Sequence, residues 1–126
     1  MKELTNAESM VMKTIWKHPQ EMGLHAIMTL TNEAYGKDWK PQTVSTYIAK
    51  LVSKEFIRMK NSGRKAVYEV IIPETAYRQY QNKKFVEFWH NGSTADFLRT
   101  YYEDQVITEE EISGLKKCVE ELAVKV

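Results

Sequence analysis

The chain has 126 residues, which is enough to form one ordinary hydrophobic core. Its formal net charge is only +1, so the overall charge does not indicate a polyanionic partner. No apolar run approaches the roughly 20 residues that span a bilayer, and the first residues lack the apolar segment of a signal peptide, so we expect a cytoplasmic protein. The single cysteine excludes an internal disulfide and a cysteine-rich metal site.

The first two predicted elements are amphipathic helices. Thr5 and Glu8 have the spacing of a capping box, which predicts a helix from Thr5 to about Lys17, before a proline. A second helix is predicted after Gly23 and ends near Gly36, where left-handed backbone costs little. Together with the helix that follows, these patterns predict a core that contains Val11, Ile15, Leu30, Ile48 and Leu51.

The stretch from Pro41 to Lys54 is predicted to be a third helix with a polar outer face. Pro41 suits the first helical position because its missing N–H would have no intrahelical partner there. The inward stripe consists of Val44, Ile48, Leu51 and Val52. The opposite face is short and uncharged at its start and then basic, which suits insertion into a DNA groove. The residues that we assign to DNA binding in this region are Lys40, Gln42, Thr43, Ser45, Thr46 and Lys50.

A β-hairpin is predicted between Phe56 and Pro73. Alternating apolar and polar residues flank a turn signal at Ser62-Gly63. Its basic side chains have the chemistry to lie along a phosphate backbone, and they are Arg58, Lys60, Arg64 and Lys65. Three helices and a basic hairpin follow one another in this order in winged helix-turn-helix domains. A hairpin that serves only packing or protein contacts is the alternative.

After Pro73 the pattern changes to a helical arm. We therefore expect a mainly α protein with a small β-hairpin, in which residues 1–73 form a winged-helix DNA-binding domain and residues 74–126 a helical dimerisation domain. The last predicted helix has an apolar seam, continued by Val126, that is too short to be stable alone, so a second copy of the chain is the simplest partner. The expected dimerisation residues are Phe85, Phe88, Trp89, Phe97, Leu98, Tyr101, Ile112, Leu115, Val119 and Leu122.

No catalytic or metal-binding pattern is found in the sequence. His18, His25 and His90 do not share metal-ligand spacing, and there is no phosphate-binding loop or nucleophile arrangement. We predict no enzyme activity, no metal and no cofactor. Two functions remain: a DNA-binding repressor, and a protein-interaction module that uses the winged scaffold without sequence-specific DNA binding, since fold alone does not fix function.

Residues 43–57, Thr-Val-Ser-Thr-Tyr-Ile-Ala-Lys-Leu-Val-Ser-Lys-Glu-Phe-Ile, resemble a signature of the BlaI/MecI/CopY family of penicillinase-type repressors. That signature reads Thr-Val/Ile-basic-Thr-Leu-Leu-x-Arg-Leu-x-x-Lys-Gly-x-Ile. The first helix is also similar, at residues 4–8, 11–12 and 15–16. The resemblance implies a homodimeric repressor on pseudo-palindromic operator DNA, with control of β-lactam resistance or of another stress response.

The chain departs from that family at several positions. Ser45 stands where the family usually carries Arg or Lys, Lys50 replaces Arg, and Glu55 replaces Gly. Penicillinase members are cleaved at an Asn-Phe bond of the arm under a membrane sensor-protease. The resemblance implies such a system as a partner, with a cleavage region at Thr100 and Tyr101, where this chain has neither residue of that bond. The copper-responsive members carry several cysteines in the arm, whereas this arm has one.

Overall fold

Residues 1–125 are described by the structure, a computed structural model, and they form helices with one small sheet. The elements in chain order are α1 (Asn6–Lys17), α2 (Leu24–Tyr35), α3 (Pro41–Ser53), β1 (Ile57–Ser62), β2 (Lys65–Val70), α4 (Glu74–His90), α5 (Thr94–Tyr102) and α6 (Glu109–Val124). The predicted fold class, mainly α with one hairpin, is confirmed. Val126, which was predicted to continue the last apolar seam, lies outside the described residues.

The predicted capping box is present at the start of α1. The Glu8 backbone N–H donates to Thr5 Oγ1 at 3.2 Å, and the Thr5 N–H donates to Glu8 Oε1 at 2.9 Å. Near the end of the same helix, the indole N–H of Trp16 donates to the carbonyl oxygen of Ile72 at 2.9 Å. These contacts fix both ends of α1, and the second one joins it to the segment that follows β2.

A single apolar core lies between the first three helices and the hairpin. Its buried residues are Val11, Met12, Ile15, Ile27, Val44, Ile48, Leu51, Phe56, Ile57 and Tyr77. Two predicted core positions were wrong. Leu30 is only half-buried, because Ile27 and Thr31 occupy the inward face of α2. Val52 is exposed at the edge of the α3 stripe, because Leu51 fills the inward position of that turn.

The chain divides into two compact units between Gln81 and Asn82, inside α4. The sequence prediction placed the division at Pro73. Tyr77 accounts for the later position, since its ring is buried and packs against Phe56, with ring centroids 5.2 Å apart. The first turns of α4 therefore complete the core of the first unit.

The hairpin is antiparallel and closes through a two-residue loop. Ser62 pairs with Lys65, which leaves Gly63 and Arg64 as the loop. Gly63 has a φ of 66° at the first loop position, where hairpins of type II′ require glycine. Arg64 and Lys65 are consequently displayed at the exposed tip.

In the second unit, from Asn82 onward, almost every described side chain is exposed or half-buried. Neither α5 nor α6 contains a buried residue, and His90 is the one buried side chain that the structure describes in this unit. Ser93 and Thr108 act as the N-caps of α5 and α6, each accepting a hydrogen bond from a backbone N–H of the first turn. Short helices with so little apolar burial depend on packing against another surface for their stability. None of the described helices has a stretch long and apolar enough to cross a bilayer.

Candidate nucleic-acid interface

α3 is fixed against the core by one face and presents the other to solvent. Val44, Ile48 and Leu51 are 0 to 2% exposed, so the rotation of the helix about its axis is determined by the core. Of the assigned DNA-binding residues on α3, Thr43 is half-buried and the exposed ones are Gln42, Ser45, Thr46 and Lys50. The structure thus gathers them on one outward surface that is polar, with a single positive charge at Lys50.

The turn before α3 is held by a reciprocal pair of hydrogen bonds. The side-chain amide of Asn32 donates to the Trp39 carbonyl at 3.0 Å, and the Trp39 N–H donates to Asn32 Oδ1 at 3.0 Å. Gly36 allows the chain to leave α2 with a φ of 61°. The Trp39 ring also packs against Tyr47 of α3, at a centroid distance of 5.0 Å. The relative placement of α2 and α3 is therefore set by both backbone and side-chain contacts.

The two ends of α3 differ in how they are satisfied. Its N-cap is Lys40, and no side chain caps the first turn. N–H groups at such a helix start can donate to a phosphate. At the other end, the Lys54 ammonium donates to Glu8 Oε1 at 2.5 Å and to the Glu3 carbonyl at 2.8 Å. Lys54 is thereby engaged in the fold, whereas the salt bridge from Lys40 to Asp38, at 3.6 Å, joins two exposed groups.

Glu8 is a buried carboxylate that stays charged. Burial acts to raise its pKa, but the hydrogen bond from Lys54, the hydrogen bond from the Thr5 N–H and the positive charge of Lys54 together outweigh burial, so the pKa of Glu8 lies below its ordinary value of 4.5. The pair joins the start of α1 to the end of α3, and it therefore helps to hold the helix that carries the candidate DNA-binding residues.

The outward hydroxyl groups of α3 are not equivalent. Thr46 Oγ1 donates to the Gln42 carbonyl at 3.0 Å, so its hydrogen is committed within the helix and its oxygen remains an acceptor. The side chain of Gln42 is exposed and carries both a donor and an acceptor. Amide side chains of this kind can recognise base edges in a major groove.

The basic residues of the hairpin fall into two classes. Arg64 and Lys65, at the tip, are exposed and make no ion pair among the described residues. Arg58 forms an ion pair with Glu69, and Lys60 Nζ lies 3.4 Å from Glu21 Oε1. The sequence interpretation missed both carboxylates. The two-residue turn already places Arg58 opposite Glu69, so that pair could have been found from the register, but no local signal brings Glu21 to Lys60.

The predicted dimerisation residues lie on the second unit. Phe97 and Leu115 are half-buried and the others are exposed, with Phe88 at 74% and Trp89 at 65% exposure. Phe85, Phe88 and Trp89 follow one another at helical spacing and form one aromatic face of α4. Thr100 and Tyr101 of the predicted cleavage region lie in the last turn of α5, where both are exposed.

His90 is the buried titratable group of the second unit. Its Nδ1 lies 2.7 Å from Asp96 Oδ2, and its ring packs against Phe97 at a centroid distance of 5.4 Å. Within residues 1–125 there is no cluster of three or more His, Cys, Asp or Glu side chains that could hold a metal ion.

Comparison with known proteins gives consistent matches. A family model described as penicillinase repressor matches residues 4–121. The penicillinase repressor of Bacillus licheniformis is 29% identical over 119 residues, which are 94% of this chain and 91% of that protein. The methicillin resistance regulatory protein MecI of Staphylococcus aureus is 25% identical over 114 residues, 90% of each chain.

A solved structure is similar to more than half of the chain. It is the solution structure of the Bacillus licheniformis BlaI monomeric form in complex with the blaP half-operator. The match has 29% sequence identity and a TM-score of 0.50, and it covers 60% of this chain and 89% of that one.

Proposed function

This chain belongs to the penicillinase repressor family, and from that premise we propose that it is a homodimeric transcriptional repressor that binds pseudo-palindromic operator DNA. The observation that carries the proposal is the outward surface of α3, which is polar and nearly uncharged and is held in place by a fully buried apolar stripe. In a winged helix-turn-helix domain this helix enters the major groove. The likeness to a relative solved on a half-operator supports the same role here.

Base edges and phosphates are contacted by different parts of this surface in the proposal. Gln42, Ser45 and Thr46 reach base edges, since their amide and hydroxyl groups can donate or accept hydrogen bonds in the groove. Thr43, Lys40 and Lys50 are placed at the phosphates, together with the uncapped first turn of the helix. The tip of the hairpin adds Arg64 and Lys65 to the backbone contacts.

A second copy of the chain completes the second unit in this proposal. The aromatic face of α4 and the apolar positions of α6 are exposed in a single chain, and the described part of this unit has no buried apolar side chain. Covering these residues with the same surface of another copy gives a two-fold dimer. Such a dimer places two α3 helices on half-sites about one or two helical turns apart.

The names of the relatives indicate which genes to test first. A penicillinase repressor and a methicillin resistance regulator make genes of β-lactam resistance the first candidate targets, with other stress genes second. Release by a membrane sensor-protease would require the last turn of α5 to unwind, since Thr100 and Tyr101 are helical and a protease binds extended backbone.

The test is binding of the purified protein to the DNA upstream of its own gene and of neighbouring resistance genes. We expect a saturable mobility shift at one dimer per site that weakens with salt, and a dimer by sedimentation. Replacing Arg64 and Lys65 with Ala should lower affinity for all sequences and reduce the slope of log K against log salt by about 2.

The matched control removes two lysines from the second unit. Lys116→Ala with Lys117→Ala gives the same change in net charge on α6 and should leave the salt slope unchanged. A dimer that binds these DNAs no better than random competitor would contradict the operator assignment. A folded dimer that ignores DNA altogether would favour the protein-interaction module instead.

A further inference from the structure

Three charged side chains share one face of the hairpin. The register places Arg58 directly opposite Glu69, and Lys60 is two residues from Arg58 on the same strand. All three side chains therefore lie on the same face of the hairpin. Arg58 Nε is hydrogen-bonded to Glu69 Oε1, and Lys60 Nζ lies 4.0 Å from the other carboxylate oxygen of Glu69. One carboxylate therefore lies between two cations.

A second carboxylate reaches this face from the loop between α1 and α2. Tyr68 of β2 donates its N–H to the Met22 carbonyl at 3.1 Å, so the loop is joined to the hairpin by one antiparallel β-bridge. Gly23 permits this approach, since a Cβ there would lie 3.0 Å from the Ala66 carbonyl oxygen. Glu21 precedes the bridge residue Met22, and its Oε1 lies 3.4 Å from Lys60 Nζ.

The four charges on this face cancel. Two cations and two carboxylates alternate along it, and each carboxylate is more buried than the cation it pairs with: Glu69 is 29% exposed against 69% for Arg58, and Glu21 is 39% exposed against 51% for Lys60. A phosphate that approached either cation would have to displace a carboxylate that is already in place, and it would be repelled by the other one. At the tip, Arg64 and Lys65 have no such competitor within the described residues.

We propose that Glu69 and Glu21 limit the affinity of the hairpin for DNA by keeping Arg58 and Lys60 in intramolecular ion pairs, so that phosphate contacts are confined to Arg64 and Lys65. The inference rests on the proposed repressor function and adds a determinant of its overall affinity for DNA. Phosphate contacts carry no sequence information, so the loss of two such contacts lowers the affinity for every DNA sequence. The pairs therefore weaken binding to operator and non-operator DNA alike, so a non-operator site, where base contacts are missing, holds the protein only weakly.

The experiment compares four forms of the full chain on operator and random DNA over a range of salt. They are the wild type, Glu21→Gln with Glu69→Gln, Arg58→Ala with Lys60→Ala, and all four changes together. We expect the Gln pair to raise affinity severalfold on both DNAs and to steepen the salt slope by up to about 2, because each freed cation adds about 0.9. Removing Arg58 and Lys60 should leave the wild-type slope nearly unchanged but abolish the gain in the combined form.

Control variants separate this effect from overall charge and from folding. Glu33→Gln removes an exposed carboxylate of α2 that makes no ion pair among the described residues, and it should not change the slope. Gln is close in shape to Glu, and circular dichroism checks that each variant keeps the native helix content. The inference is overturned if the Gln pair has the wild-type salt slope. It is also overturned if Arg58→Ala with Lys60→Ala reduces the salt slope as much as Arg64→Ala with Lys65→Ala does. Wild-type protein that does not bind the DNA would instead overturn the repressor function.

Discussion

Lys54, at the end of α3, and Glu8, at the start of α1, form an ion pair across the core domain, with Nζ 2.5 Å from Oε1. Glu8 is 1% exposed, so its charge is stabilised mainly by the Lys54 ammonium and the Thr5 N–H. Removing one partner of a buried pair leaves an uncompensated charge and is far more costly than loss of a surface pair.

The first prediction concerns the cation of this pair. Lys54→Met should lower the free energy of unfolding by about 3 kcal/mol, because the Glu8 carboxylate stays buried without its ammonium. The measurement is urea unfolding at fixed protein concentration, since dimer formation makes stability concentration-dependent. Lys50→Met makes the same chemical change one turn earlier on the exposed face, and we expect it to change stability by no more than about 0.5 kcal/mol. Equal losses of unfolding free energy in the two variants would show that the Lys54–Glu8 ion pair stabilises the fold no more than an exposed lysine does.

The second prediction is a dependence of stability on pH. The pKa of Glu8 is lowered in the folded chain, so on acidification the unfolded chain, near 4.5, takes up the proton first and unfolding becomes favoured. The stabilisation is complete above about pH 5 and is lost as the pH falls through the folded pKa. Denaturant midpoints between pH 3 and 7 should therefore fall more steeply in the wild type than in Glu8→Gln. If the midpoints of the two proteins fall equally with pH, the loss of stability in acid comes from groups other than Glu8.

The third prediction uses the strained residue after α3. Glu55 has a φ of 65°, and the N–H groups of Glu55 and Phe56 donate to the carbonyls of Val52 and Leu51 at 3.0 Å, which is a Schellman motif. A left-handed backbone conformation costs a residue with a Cβ about 1–2 kcal/mol, and glycine avoids this cost. Glycine also gives the unfolded chain more conformational entropy, which offsets part of the stabilisation. Glu55→Gly should therefore raise the thermal midpoint, with a gain of about 1 kcal/mol. Glu55→Ala removes the charge but keeps the Cβ, so it should show no such gain.

The elements that followed local rules could be predicted from the sequence. The Thr5 cap, Pro41 at the first position of α3 and the turn at Ser62-Gly63 each depend on residues within four positions of one another, and the structure has all three.

Partners that are distant in sequence could not be predicted. No residue near Lys54 in the sequence indicates a contact with Glu8, which is 46 residues away. The same is true of Lys60 and Glu21, which are 39 residues apart. These pairs depend on how α1 and its following loop pack, so Lys60, which the sequence pattern assigned to DNA binding, is engaged in an ion pair within the fold. The same limit applied to Val52, whose spacing fits the α3 stripe although its side chain is exposed.

The fourth prediction tests the aromatic face of α4 as a dimer contact. Phe88 is 74% exposed, and a lysine there would have to be desolvated if this face is buried between two copies. Phe88→Lys should therefore shift the protein to monomer in sedimentation experiments at micromolar concentration. Glu87→Lys places the same side chain one residue earlier, which is about 100° around the helix from Phe88 and away from Phe85 and Trp89, and should remain dimeric. A dimeric Phe88→Lys protein would remove this face from the interface.

The fifth prediction concerns Ser45, which lies exposed on the outward surface of α3. Lysine at this position would add a cation to the DNA-facing surface of the proposed complex, so Ser45→Lys should bind DNA more tightly and steepen the salt slope by up to about 0.9. Ser53→Lys adds the same charge at the last turn of the helix and should have the smaller effect, because groove-reading helices contact bases with their first residues. The measurement is fluorescence anisotropy of labelled operator at several salt concentrations. If both lysines steepen the slope equally, the start of α3 does not lie closer to the DNA than its end, and the proposed orientation of this helix must be reversed or abandoned.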